Sequence, residues 1–186
     1  LRSAYGGCLR RLNDWDSAER VFESLVLDSG RQGMFSLQAW ALQEWSMIAQ
    51  YRGDFVRARS FIDQARRFAG RSNGEELIQT LRKCEAELLL QQHQGEAAYR
   101  LLITMPENAQ VLKLLSEAKL LSADYSRCRA FAQAALRWSG DDDALRASLF
   151  TLIGRSYEVE GDTEQAWRYF SDALTLLERL DDLYSL

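Results

Sequence analysis

The chain has 186 residues, of which 47% are apolar and 27% charged, the balance of a folded soluble domain rather than of a disordered segment. A net charge of -4 with dispersed basic residues argues against direct nucleic-acid binding. No apolar run approaches the roughly 18 residues that a membrane span requires, so membrane insertion is not expected. A single proline, Pro106, and a wealth of Ala, Leu, Arg, Glu and Gln point to an all-α fold.

Periodicity and punctuation predict ten helices, over about 1–12, 15–29, 34–52, 55–69, 74–92, 95–104, 107–121, 124–138, 142–160 and 163–180. They group into five pairs, each joined by a tight turn. The first pair carries Tyr5-Gly6 and Leu9, a turn at Asp14, then Ala18, Phe22 and Leu25. The second carries Trp45-Ser46 and Ala49, then Gly53-Asp54, then Ala58, Ile62 and Ala65. The third reads Cys84 and Leu88, Gly95, then Ala97 and Leu101. The fourth reads Leu115-Ser116, Ala123-Asp124, then Cys128, Ala132 and Ala135. The fifth places Phe150, Ile153, Gly154 and Tyr157 on one face before Gly161-Asp162, with Ala166, Phe170, Ala173 and Leu177 as the stripe of the next helix. Asp162 followed by Gln165 three residues on is a capping-box pattern.

Gly30, Gly70 and Gly140 stand where second helices are expected to end, and Pro106 fits a first helical turn. The loop 71–74 reads as a flexible joint. The small residue opening each second helix falls at 18, 58, 97, 128 and 166, at intervals of 40, 39, 31 and 38. Asp181-Asp182-Leu183-Tyr184 echoes Asp142-Asp143-Ala144-Leu145, as if a further repeat or capping helix began at 181–186. Together with a start at Leu1 rather than Met, this reads as part of a larger chain or complex. No signal-peptide pattern opens the sequence, and three widely spaced cysteines, Cys8, Cys84 and Cys128, suit the cytoplasm better than a disulfide framework or zinc site.

The succession large residue, Leu/Ile-Gly, Tyr, Gly-Asp, Ala, Phe, Ala resembles the tetratricopeptide repeat (TPR), most closely at Phe150, Ile153, Gly154, Tyr157, Ala166, Phe170 and Ala173. The resemblance implies an all-α right-handed superhelix, a TPR-like solenoid of about five antiparallel helix pairs forming a single domain. Its repeats would span about 1–30, 34–70, 74–105, 106–140 and 142–180. It implies a non-catalytic scaffold or adaptor, without a cofactor, that binds another protein on a concave face lined by first helices. Carried over place by place, that groove comprises Arg10, Trp40, Gln43, Met47, Gln50, Tyr51, Gln79, Arg82, Lys113, Glu117, Thr151 and Arg155. The cations among these residues, with the glutamines and the apolar anchor of Trp40, Met47 and Tyr51, imply a peptide or helix bearing acidic groups. The paired Lys and Asn of TPR domains that clamp chaperone C-termini are replaced here by Ser3 and Gly7, which argues against that ligand. In repeat style, the long units are also similar to the helical-repeat domains of LuxR-type, maltose-activator-like regulators, which implies effector sensing as the alternative function.

Other reactive residue types read as structural. His93, the single histidine, falls near a turn, and the segment from Gly70 to Gly74 lacks the Lys-Ser/Thr of a phosphate loop. Cys84 and Cys128 occupy inward places, and Asp141-Asp142-Asp143 suits a helix start. Of the five tryptophans, Trp40 is the one expected to face a partner, the others to pack.

Overall fold

The computed structural model describes residues 2–72 and 74–184; Leu1, Asn73 of the predicted joint, Ser185 and Leu186 lie outside the described residues, as do the side chains of Arg2, Ser3 and residues 182–184. The described helices are α1 (Arg2–Arg11), α2 (Trp15–Arg31), α3 (Phe35–Tyr51), α4 (Phe55–Arg71), α5 (Glu75–Gln91), α6 (Gly95–Leu102), α7 (Ala109–Leu121), α8 (Tyr125–Trp138), α9 (Asp143–Glu160) and α10 (Thr163–Tyr184). Each predicted helix is found, and Asp181–Tyr184 continue α10 without a break.

One turn design recurs. Within two residues of the end of each first helix, one residue has a left-handed backbone: Asn13 (φ 60°), Gly53 (74°), His93 (58°), Ala123 (57°) and Gly161 (85°). Its N–H and that of the following residue then bond back into the helix just ended, as for Ala123 to Leu120 O (3.2 Å) and Asp124 to Lys119 O (2.9 Å). The following residue also opens the second helix. Asp14, Asp54, Asp124 and Asp162 each accept a bond from the N–H three residues on, at 3.2, 3.0, 3.2 and 3.1 Å. One aspartate thus closes one helix and starts the next. Asp142 caps α9 in the same way through Leu145 N (2.9 Å), which accounts for the acidic run as a helix start.

Three predicted stops and starts move. Gly30 and Gly70 lie inside α2 and α4; α2 ends instead where Gly33 adopts φ 67°, because its N–H bonds to Gly30 O. Pro106 precedes the seventh helix, which Asn108 caps by accepting from Val111 N at 3.0 Å.

Packing divides the chain into two compact units, Leu1–Leu88 and Leu89–Leu186. In the first, Leu9, Ala18, Phe22, Leu25, Ala41 and Ile48 form one core cluster, with Trp15 and Trp40 laid against it. A second gathers Leu42, Ala49, Ala58, Ile62, Ala65, Leu81, Cys84 and Leu88. Each fully buried large side chain contributes about 1.5–3 kcal/mol. Trp45 joins the two clusters: its ring stacks on Phe61 at 4.4 Å and its indole N–H donates to Glu19 at 3.3 Å.

The second unit repeats the scheme with smaller side chains. Ser116 and Cys128 are fully buried, and the Ser116 hydroxyl donates to the Cys128 carbonyl at 2.9 Å, so α7 and α8 approach closely. Lys119 is buried over the Tyr99 ring (3.4 Å) and reaches Glu96 at 3.4 Å. Arg129 on α8 binds Glu160 at 2.5 Å and lies over Tyr157, tying α8 to the end of α9. In the third pair the predicted register is off by one: Ala98 and Leu102 are fully buried, whereas Ala97 is exposed and Leu101 half-buried. Gly95 sets this phase. Its buried α-carbon sits so close to Ala118 O that an added β-carbon would be 2.6 Å from it. In α10 Leu176, not Leu177, points inward (5% against 47% exposed).

Candidate functional site

Within the second unit, α7 and α9 are the first helices of their pairs and pack on one another. Between them, with Leu177 of α10 at the edge, opens a cleft of about 360 Å³. It is lined by Lys113 and Glu117 of α7 and by Ala144, Ala147, Ser148, Thr151, Leu152 and Arg155 of α9. Helical spacing explains the selection: 113 and 117 are one turn apart, and 144, 148, 151 and 155 run along one face of α9.

The polar groups are unequally committed. Lys113 and Glu117 form an ion pair at 2.9 Å, each about one quarter exposed. The Ser148 hydroxyl donates to Leu145 O at 2.7 Å and that of Thr151 to Ala147 O at 2.9 Å. Their protons are thereby spent within α9, and their oxygens face the cleft as acceptors. Arg155 is exposed and has no ion pair among the described residues. The cleft therefore offers two cations, one carboxylate, two hydroxyl acceptors and an aliphatic wall of Ala144, Ala147, Leu152 and Leu177. Four of the sequence-predicted groove residues, Lys113, Glu117, Thr151 and Arg155, come together there. The apolar stripe of the sequence places Leu177 in the core; at 47% exposed, it stands instead at the edge of the cleft.

The predicted residues of the first unit are placed differently. Arg10 is spent on Glu44, its Nε donating at 3.0 Å with both side chains largely covered. Gln43 and Gln50 are buried; the Gln43 amide makes long contacts to Glu44 (3.5 Å) and Met47 (3.9 Å), and the Gln50 amide nitrogen has no hydrogen-bond partner among the described residues. Trp40 is half-buried, edge-on to Phe22 at 5.9 Å, and packs against the core cluster of α1 to α3. Tyr51 is exposed and stacks with Trp15 at 6.1 Å. Gln79 donates to Glu75 at 2.8 Å, and Arg82 is half-buried on α5. The exposed tryptophans are instead Trp138 (62%) and Trp167 (76%), both on second helices.

The remaining reactive types are settled by their surroundings. Burial, reinforced by the Glu87 carboxylate, pushes the Cys84 thiol up to about 12. Burial also raises Cys128, partly offset by its hydrogen bond with Ser116. Both thiols are thus held protonated, the opposite of a reactive cysteine. His93 is an exposed turn residue. Among the described residues no group of three or more His, Cys, Asp or Glu is placed to hold a metal ion, and no helix is long and apolar enough to cross a membrane.

Neither a family model nor a curated protein sequence matches the chain. Solved structures do. The chain is similar to MamA from Desulfovibrio magneticus RS-1 (TM-score 0.66, 17% identity, covering 97% of this chain and 96% of that one). It is also similar to BtubC from P. vanneervenii (TM-score 0.74, 18% identity, 97% and 80%) and to MamA of MSR-1 (TM-score 0.56, 16% identity, 87% and 97%). These likenesses establish the all-α, TPR-like helical-repeat fold. They give no support to the comparison with LuxR-type regulators.

Proposed function

We propose that this chain is a non-catalytic protein-interaction module, a scaffold or adaptor that binds a segment of another protein. The fold it shares with MamA and BtubC is suited to that role, since stacked helix pairs present long faces of first helices to a partner. The observation that carries the reading is the cleft between α7 and α9, where Lys113, Glu117, Thr151 and Arg155 meet beside an aliphatic wall. A peptide or helix fits this chemistry when an acidic side chain reaches the cations and a neighbouring aliphatic one lies on Leu152 and Leu177. Arg155 is the main anchor, because Lys113 already has a carboxylate beside it.

The test is selection of peptides from a random displayed library, with the wild-type chain and an Arg155→Glu form as parallel baits. The wild type is expected to enrich sequences with Asp or Glu next to Leu, Ile or Val, and Arg155→Glu to lose them. Enrichment without acidic residues, or the same sequences from both baits, overturns the reading.

A further inference from the structure

The cleft between α7 and α9 carries its own carboxylate, and that sets a limit on what can enter. Lys113 and Arg155 contribute two positive charges to the lining and Glu117 one negative charge. Glu117 is not at the rim of some distant network. It sits one helical turn from Lys113, at 2.9 Å, inside the same lining. The net excess is a single positive charge, and of the two lining cations Arg155 is the one without an ion pair among the described residues. The hydroxyls do not alter this count, because Ser148 and Thr151 have donated their protons to α9 carbonyls and present acceptor oxygens. An anion in the cleft therefore finds donors only on Lys113 and Arg155 and meets three acceptors on Glu117, Ser148 and Thr151.

We infer that the cleft admits one carboxylate at a time and that Glu117 is the residue imposing this limit, so that it selects an isolated Asp or Glu against a phosphorylated residue or an acidic run. A monoanion is neutralised by Arg155 and shares Lys113 with Glu117. A phosphate dianion, or two adjacent carboxylates, brings a second negative charge against Glu117 with no further cation to meet it, and like charges in a partly desolvated site repel strongly. Specificity arises here from an element set against the wrong ligand, not from added attraction to the right one. The inference rests on the proposed binding role of this cleft and refines which acidic partner it takes.

The selection described above separates the two, with Glu117→Gln added as a third bait. This variant keeps the size and hydrogen-bonding reach of the side chain and removes its charge. The wild type is expected to enrich single acidic residues flanked by neutral ones, and Glu117→Gln to enrich acidic runs. A synthetic copy of one recovered peptide, with phosphoserine in place of its acidic residue, is expected to bind Glu117→Gln about tenfold more tightly than wild type, roughly the effect of removing one nearby like charge. The carboxylate form is expected to change less than threefold, an order-of-magnitude allowance for an exposed pair. If the wild type enriches acidic runs as readily as Glu117→Gln does, or the phosphoserine peptide does not discriminate between them, the limit is refuted and the binding role stands. If no bait enriches acidic residues, both fall. Unchanged helicity of each variant by circular dichroism excludes misfolding as the cause.

Discussion

A β-carbon placed on Gly154 would lie 2.7 Å from Cε1 of Phe170, so α9 and α10 meet where the glycine leaves room for a ring. The same relationship joins α1 and α2, where Phe22 Cε1 would lie 2.9 Å from a β-carbon on Gly6. In both pairs the ring comes sixteen positions after the glycine. Ser46 with Ile62 and Ser116 with Ala132 repeat that spacing in the second and fourth pairs, and the two serines are fully buried. The small residue of the first helix and its counterpart in the second are thus the ruler of these four pairs.

Gly154→Ala is expected to destabilise the protein. Displacing the Phe170 ring costs about 1–3 kcal/mol as overpacking, against a helix-propensity gain of about 0.5–1 kcal/mol. Gly95→Ala is expected to lose more, because the atom it meets first is the backbone oxygen of Ala118, at 2.6 Å, which has no rotamer to change. Urea unfolding of both variants checks the order; a milder effect at Gly95 would contradict the packing described.

Ala123→Gly is expected to stabilise. Ala123 holds φ 57°, a left-handed conformation that costs a non-glycine residue about 1–2 kcal/mol, while glycine loses about 0.5–1 kcal/mol more entropy on folding. A net gain of about 0.5–1 kcal/mol should appear as a raised thermal midpoint. A lowered midpoint would mean that the turn has another constraint.

Lys119 separates charge from volume. Its stem is buried, while its ammonium lies over the Tyr99 ring at 3.4 Å and reaches Glu96, which is itself half exposed and can rehydrate. Lys119→Met keeps the stem and is expected within about 1 kcal/mol of wild type. Lys119→Ala opens a void and is expected to cost about 2 kcal/mol or more in chemical denaturation.

The Cys84 thiol gives stability an alkaline limb. Its value is raised to about 12 from the usual 9.0, so the native chain keeps a proton that the unfolded chain releases. Its contribution is whole below about pH 9 and declines between about 9 and about 12. Cys84→Ala is expected to flatten that decline. At pH 8, iodoacetamide is expected to modify exposed Cys8 in the native protein, and buried Cys84 and Cys128 only after denaturation.

Ten helices and their turns were legible because their signals are local: an apolar period, a left-handed residue, an aspartate. The third pair slipped by one because Ala97 and Ala98 are the same residue type, and the approach of Gly95 to Ala118, which decides between them, joins positions far apart in the chain. The same limit applies to Arg10. Its place on a first helix marks it as a groove cation, and nothing local announces that its carboxylate, Glu44, comes from α3. Trp40 is half-buried with its ring edge-on to Phe22, a contact that joins α3 to α2 and has no local signal. The cleft residues were legible as far as helical register reaches; Leu177 was not, because two adjacent leucines left open which one α10 turns outward.

Helix α6 has eight residues, where the other second helices have 14 to 22. So short a helix has little stability of its own and depends on what it leans on. Ala98 and Leu102 supply its buried side chains, with Gly95 pressed to α7. In an array where each element is secured by its neighbours, such a rung is where the ladder gives first. Its amides should exchange with solvent ahead of those in α7 and α8, and a protease admitted by that opening would cut around residues 95–105 while the longer helices remain intact.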